Sequence, residues 1–174
     1  MIRAIIFDWG RTLHDPEGRR IYPDAIETIP QLAERYRLAI CTIVGTSTES
    51  VRVLKVRTSP IGRFFRSVRS TTVAQVKDLL FEKTLDDLGL VPAEVVVVDD
   101  RVKRGVAWAN RVGATSVWLH RPGGKFSDEL PTAETGQPTY IITALDELPG
   151  VLHQERSGVD SAQITSYTAQ REVA

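Results

Sequence analysis

Ile5-Ile6-Phe7-Asp8-Trp9-Gly10-Arg11-Thr12-Leu13 is the stretch on which the reading of this chain turns. An apolar run delivers a carboxylate to its C-terminal end and breaks two residues later at a glycine, as a buried strand ending in an acidic tip would. In open α/β sheets ligands bind in the crevice outside the carboxyl ends of the strands. Asp8 is therefore the candidate nucleophile.

The rest of the chain supplies the sheet that such a strand needs. Short apolar, β-branched runs at Ala4 to Phe7, Leu38 to Cys41, Val95 to Val98, Ser116 to Leu119 and Tyr140 to Ile142 read as strands. Amphipathic segments separate them, at Asp24 to Arg35, Ser47 to Arg57, Val76 to Leu88, Val102 to Val112 and Leu145 to Leu152. This alternation predicts an α/β fold whose mainly parallel sheet, of five or six strands, is covered on both faces. The sixth strand would be Phe65 to Ser70, an edge carrying Arg66 and Arg69 outward. In the clearest helix Val76, Leu79, Leu80, Lys83, Thr84 and Leu88 trace one face, and Gly89 follows as a C-cap. Pro23 suits a first helical turn, and Pro30 is expected to bend or interrupt its helix. Arg121 to Pro138, rich in Pro, Gly, Asp and Glu, reads as a long surface excursion.

With 174 residues, one domain over residues 1–155 is expected, followed by a flexible or subunit-docking tail over 156–174. The 22 basic and 22 acidic residues balance, which gives no strong nucleic-acid signal and no broad field for an anionic membrane. The Arg63, Arg66, Arg69 series has too few accompanying aromatics to form a nucleic-acid groove. A lone cysteine, Cys41, lies inside an apolar run and reads as a buried small hydrophobe. No stretch is long and apolar enough for a membrane span and the N-terminus has no secretory core, so a cytoplasmic location is expected.

Polar groups end three of the predicted strands. Asp8 follows the first, Thr42 and Ile43 follow the second, and Asp99-Asp100 follow Val95 to Val98. Carboxylates meeting at adjacent tips repel one another unless a proton or cation intervenes, and hard oxygen ligands favour Mg²⁺. The hydroxyl and backbone N–H groups at Thr42 and Ile43 suit a phosphoryl oxygen. An ammonium from Lys77, at a helix start, would offset further negative charge.

In these residues the chain resembles the haloacid-dehalogenase-like (HAD) hydrolase superfamily. Its first motif, Asp-x-Asp-Gly-Thr after an apolar strand, appears as Asp8-Trp9-Gly10-Arg11-Thr12. Its strand-ending Ser or Thr is matched by Thr42, its lysine by Lys77 better than by Lys83, and its late acidic pair by Asp99-Asp100. The resemblance implies a Rossmann-like three-layer sandwich and a Mg²⁺-dependent phosphatase working through an aspartyl-phosphate. Asp8 would attack, Thr42 and Lys77 would hold the phosphoryl group, and Asp8, the Gly10 carbonyl, Asp100 and Asp99 would serve the metal. Arg11, where the family has a glycine, would bind an anionic substrate group, pair with Asp99 or point to solvent.

Two positions depart from the family pattern. Gly10 stands where the family's general acid and base is an aspartate. General acid–base help is typically worth about 10²–10⁴-fold, so a slow phosphatase is expected. Gly105 stands where a further acid often supports the metal, and Asp99 is the candidate substitute. His14 and Asp15 are the nearest replacements for the missing acid. Trp9, Trp108 and Trp118 read as packing groups.

Only about 28 residues separate Leu13 from Thr42 and about 34 separate Thr42 from Lys77, which leaves no room for a full cap domain. An uncapped site suits a phosphorylated small molecule or macromolecule, with shelter supplied by another subunit of a homo-oligomer. The alternatives are a catalytically silent binding or assembly module, which Gly10 and Gly105 favour, and a dehalogenase- or phosphonatase-like reaction. A signalling receiver domain also clusters Asp, Thr and Lys, but its acidic pair usually follows the first strand.

Overall fold

The structure is a computed structural model, and it describes residues 1–45 and 47–157, with the backbone alone for 154–157. The expected tail beyond 157 lies outside the described residues. In chain order the elements are β1 (Ala4–Phe7), a short hairpin of β2 (His14–Asp15) and β3 (Arg20–Ile21), and α1 (Pro23–Ala33). These lead to β4 (Arg37–Ile43), α2 (Glu49–Arg57), β5 (Phe65–Thr71), α3 (Lys77–Leu88) and β6 (Val95–Asp99). The remainder is α4 (Ala107–Val112), β7 (Thr115–Leu119), β8 (Tyr140–Ile142) and α5 (Leu148–Ser157).

Six of these strands form one sheet in the order β5-β4-β1-β6-β7-β8, and every pairing is parallel. The predicted edge strand is present. β1 sits near the middle, with Phe7 level with Ile40 of β4 on one side and Val98 of β6 on the other. A strand flanked in this way has both faces covered, which is why all four of its residues are apolar and buried.

Side-chain alternation with period two divides the core between the faces. Ile5, Phe7, Leu38, Ile40, Val96 and Val98 pack with α1 and α5. Ala4, Ile6, Ala39, Cys41, Val95 and Val97 pack with α3 and α4. Asp8 continues the Ala4 and Ile6 series, so its carboxylate emerges on the α3 side.

The structure corrects several local expectations. The buried stripe of α3 is Lys77, Leu80, Phe81, Thr84, Leu85 and Leu88, whereas Leu79 and Lys83 face solvent. Both stripes keep three- and four-residue spacing, and packing against the sheet, where Leu80, Phe81, Leu85 and Leu88 meet Ala39, Cys41 and Val97, selects the one through Lys77. Pro30 lies inside α1 without interrupting it, and Pro23 opens that helix as expected. Arg69 does not project freely from the edge strand but makes a two-bond pair with Asp87 of α3 (2.7 and 2.8 Å), while Arg66 is exposed. The helix after β6 begins as a π-helical turn, Val102–Val106, before settling into α4.

Cys41 is buried against the Thr84 hydroxyl (3.1 Å), and burial pushes its thiol up to about 12. It behaves as the small hydrophobe expected of it. Trp9 and Trp108 are likewise buried in the two cores. No helix among the described residues is long and apolar enough to cross a membrane.

Candidate active site

The strand register brings the acidic residues together. Asp8 donates its backbone N–H to the Val98 carbonyl (2.9 Å), which seats it beside Asp99, the last residue of β6. On the other flank the ladder between β1 and β4 ends at the Phe7–Ile40 pair, while β4 runs on to Ile43 beside β5. Thr42 and Ile43 thus extend past the β1 ladder toward the space next to Asp8.

Lys77 bridges the acids from the third side. It is the first residue of the buried stripe of α3, so its stem is directed at the sheet, and its Nζ lies 5.6 Å from the centre of the Phe81 ring. Its ammonium donates to Asp8 Oδ1 (2.8 Å) and to Asp99 Oδ2 (2.7 Å), with only 3% of the residue exposed. Burial alone would push the ammonium down, but the two carboxylates outweigh it and hold it above its ordinary range. Lys83 is exposed elsewhere on the helix, so Lys77 is the lysine that reaches the acids.

Asp99 is held from several directions at once. Besides Lys77, its Oδ2 accepts the Gly105 N–H (3.0 Å) and its Oδ1 accepts the Arg101 N–H (2.9 Å). A Cβ on Gly105 would lie 2.6 Å from Asp99 Oδ2 and 2.8 Å from Asp99 Cβ. The Asp99 carboxylate therefore fills the room that a side chain at position 105 would need.

Burial acts on both Asp8 and Asp100. Burial pushes the Asp8 carboxyl above its ordinary value, with Lys77 opposing and Asp99 reinforcing the shift. Asp100 is raised to about 9, first by burial and then by the charges of Asp99 and Asp8. Carboxylate oxygens of Asp8, Asp99 and Asp100 lie within 4.8 Å of one another. A hard divalent cation fits this set: it would meet the oxygen donors such an ion prefers and relieve a carboxyl that otherwise keeps its proton.

The sign of the resulting pH dependence follows. With its folded value above its unfolded one, Asp100 lowers stability progressively as the pH rises from about 4 to about 9 when no cation is bound. Cation binding expels that proton. Mg²⁺ is therefore expected to raise the melting temperature more at pH 8.5 than at pH 6, as scanning calorimetry would record. An equal shift at both values would remove Asp100 from the site.

The other candidates fall around this centre. Thr42 is buried, and its hydroxyl makes one long bond to the Ile43 carbonyl (3.5 Å). Arg11 has a left-handed backbone (φ 67°) and pairs with Glu17 (2.8 Å), not with Asp99. His14 is buried and stacked on Trp9 (5.6 Å between centroids). Burial, then Lys55 and Arg52, push its imidazole down to about 4, so it is neutral at pH 7. Asp15 stays within the hairpin, accepting the Glu17 N–H (3.1 Å). Neither His14 nor Asp15 bonds to Asp8 among the described residues.

Sequence reasoning missed the cavity beside Asp100, of about 510 Å³, whose walls include Arg11, Tyr22, Arg121, Lys125 and Phe126. The 121–138 excursion brings Phe126 there, anchored by Arg101 and its bonds to Glu129 (2.8 and 3.2 Å). A lone aromatic in a polar loop was the available signal.

A parallel Rossmann-like sheet with aspartates and a lysine at its central strand tips defines a class, and the comparisons with known proteins support the haloacid-dehalogenase-like hydrolase superfamily for this chain. The family profile described as HAD-hydrolase-like matches residues 76–148. A glyceraldehyde 3-phosphate phosphatase of Methanopyrus kandleri is 28% identical over 137 residues, which is 76% of this chain and 57% of that protein. The chain spans a little over half the length of the curated relatives it matches. A HAD phosphatase structure from Thermococcus onnurineus is 29% identical, with a TM-score of 0.60 over 76% of this chain and 58% of the other. An uncharacterized Listeria monocytogenes protein shares the fold with a TM-score of 0.75 at 22% identity, over 90% of this chain and 99% of its own.

Proposed function

We propose that the chain is a Mg²⁺-dependent phosphatase that forms an aspartyl-phosphate on Asp8 and acts slowly on esters with poor leaving groups. The observation carrying this reading is the Lys77 ammonium shared between Asp8 and Asp99 beside Asp100. It pins Asp8 Oδ1 and leaves Oδ2 as the oxygen available to attack phosphorus. Similarity to curated phosphatases supports the same chemistry.

Asp8, the Gly10 carbonyl and Asp100 would hold the Mg²⁺. Asp99, committed to Lys77 and to two backbone N–H groups, contributes its charge and fixes the lysine. When bound, the ion neutralises charge on the phosphoryl oxygens and orients the ester. Thr42 and Ile43 supply a hydroxyl and backbone N–H groups to those oxygens, and Lys77 offsets their charge. Attack by Asp8 expels the leaving oxygen, and water then hydrolyses the acyl phosphate. Gly10 cannot donate a proton, so the leaving oxygen departs as an anion or takes its proton from water.

The segments where caps are inserted hold the β2–β3 hairpin with α1, and α2 with β5. We infer an uncapped site, walled by the hairpin and by the 121–138 segment.

The test is phosphate release from p-nitrophenyl phosphate with Mg²⁺, followed by borohydride trapping. Reduction of an acyl phosphate on Asp8 yields homoserine, which mass spectrometry locates. Turnover abolished by a chelator, with homoserine at position 8, is the expected result. No metal-dependent turnover would leave the binding-module reading that Gly10 favours, and 2-haloacid cleavage surviving the chelator would favour the dehalogenase-like one.

A further inference from the structure

We infer that the cavity beside Asp100 seats the leaving group of a small phosphorylated substrate and selects one that carries a second anionic group, through Arg11 and Lys125. The inference rests on the phosphatase reading and extends it from reaction to substrate class.

Size and position come first. The cavity borders Asp100 and encloses about 510 Å³, within the range of small-molecule sites and too small for a folded partner. Tyr22 and Phe126 give it two aromatic walls for a carbon skeleton.

Its charges are unevenly committed. Three cations gather on Phe126, with Arg101 at 4.2 Å from the ring centroid, Arg11 at 5.6 Å and Lys125 at 5.7 Å. Arg101 is tied to Glu129, and Arg121, over the Tyr22 ring, is tied to Asp24 by two bonds (2.8 and 3.1 Å). Lys125 makes no ion pair among the described residues. The carboxylate partner of Arg11 is Glu17, which also lines the cavity; its side chain is 68% exposed against 26% for Arg11, and a pair with one partner in solvent contributes little, so an incoming anion can compete for the guanidinium. Two cations are thus available to an incoming anion, and charge-assisted hydrogen bonds are the stronger kind.

The backbone at Arg11 points the same way. At φ 67° a glycine would sit without strain, yet the chain places there a long side chain that lines the cavity. Strain retained next to a nucleophile position is expected where the side chain is used.

The experiment is calorimetric titration, with Mg²⁺ present, of two phosphonates of equal length, 3-phosphonopropionate and 3-hydroxypropylphosphonate. Neither can be hydrolysed, so the readout does not depend on turnover. The carboxylate-bearing compound is expected to bind about tenfold more tightly. That preference should fall below about threefold in Arg11→Gly, whose backbone suits the fold, and in Lys125→Gln. Equal affinities in the unaltered protein, no binding of either compound up to 10 mM, or a preference unchanged in both variants would overturn the inference. Parallel p-nitrophenyl phosphate turnover separates the two readings: preference without turnover removes the hydrolytic one alone, and turnover without preference removes this one alone.

Discussion

Replacing Lys77 with methionine is expected to destabilise the metal-free protein by about 3–5 kcal/mol, measured by urea unfolding at pH 7. Methionine nearly matches the length and apolar character of the lysine stem, so packing against Phe81 is largely kept. What disappears is the one ammonium between Asp8 and Asp99, both buried. An uncompensated buried carboxylate is among the few lesions that reach this size. Lys77 itself stays charged up to its unfolded value of about 10.5, so the pH dependence between 6 and 9 comes from the carboxyls it leaves behind, which burial discharges at the lower pH, and the loss should grow as the pH rises from 6 to 9.

Asp8→Asn makes the counterpart. It removes one carboxylate from a cluster in which three acids face a single lysine, so metal-free stability should hold or rise while turnover falls to background. A Lys77→Met variant as stable as the parent would mean that Asp8 and Asp99 are not both charged in the folded chain. The assignment of Lys77 as the organiser of the site would fall with it.

The contrast between these two residues shows what was readable beforehand. Asp8 stood out because a strand buried on both faces leaves a run of apolar residues, and although an acid at such an end is often only a turn or helix cap, Thr42, Lys77 and Asp99-Asp100 at matching positions singled it out. The Val95 to Val98 run marked Asp99-Asp100 in the same way. Lys77 was harder, since the apparent face through Leu79 and Lys83 competed with the true stripe through Lys77, Phe81 and Leu85. Only the sheet decides which of two overlapping stripes is buried. The partnership of Asp99 with Gly105 could not be read at all, because it depends on how closely the π-helical turn at 102–106 approaches β6. The cavity likewise needs Arg11, Tyr22 and Phe126, which lie in the turn before the hairpin, at a helix start and on a loop about a hundred residues away in sequence. Pattern period carries contacts within elements, and tertiary closure carries these.

Gly10→Asp is expected to accelerate hydrolysis of alkyl phosphates by between about 10²- and 10⁴-fold in kcat/KM. The prediction rests on room as well as chemistry. A Cβ built on Gly10 meets nothing within 4 Å, and its backbone is not left-handed, so an aspartate enters open space without strain. Two residues beyond Asp8, its carboxyl would stand where a proton can reach the departing oxygen. An activated aryl phosphate gives the control, because a phenolate leaves without protonation and should speed up little. The diagnostic quantity is thus the ratio of alkyl to aryl turnover in the two proteins. Alkyl turnover unchanged, in a variant whose melting temperature matches the parent, would mean that position 10 does not face the leaving group, and slow hydrolysis would then need a different cause from the missing acid.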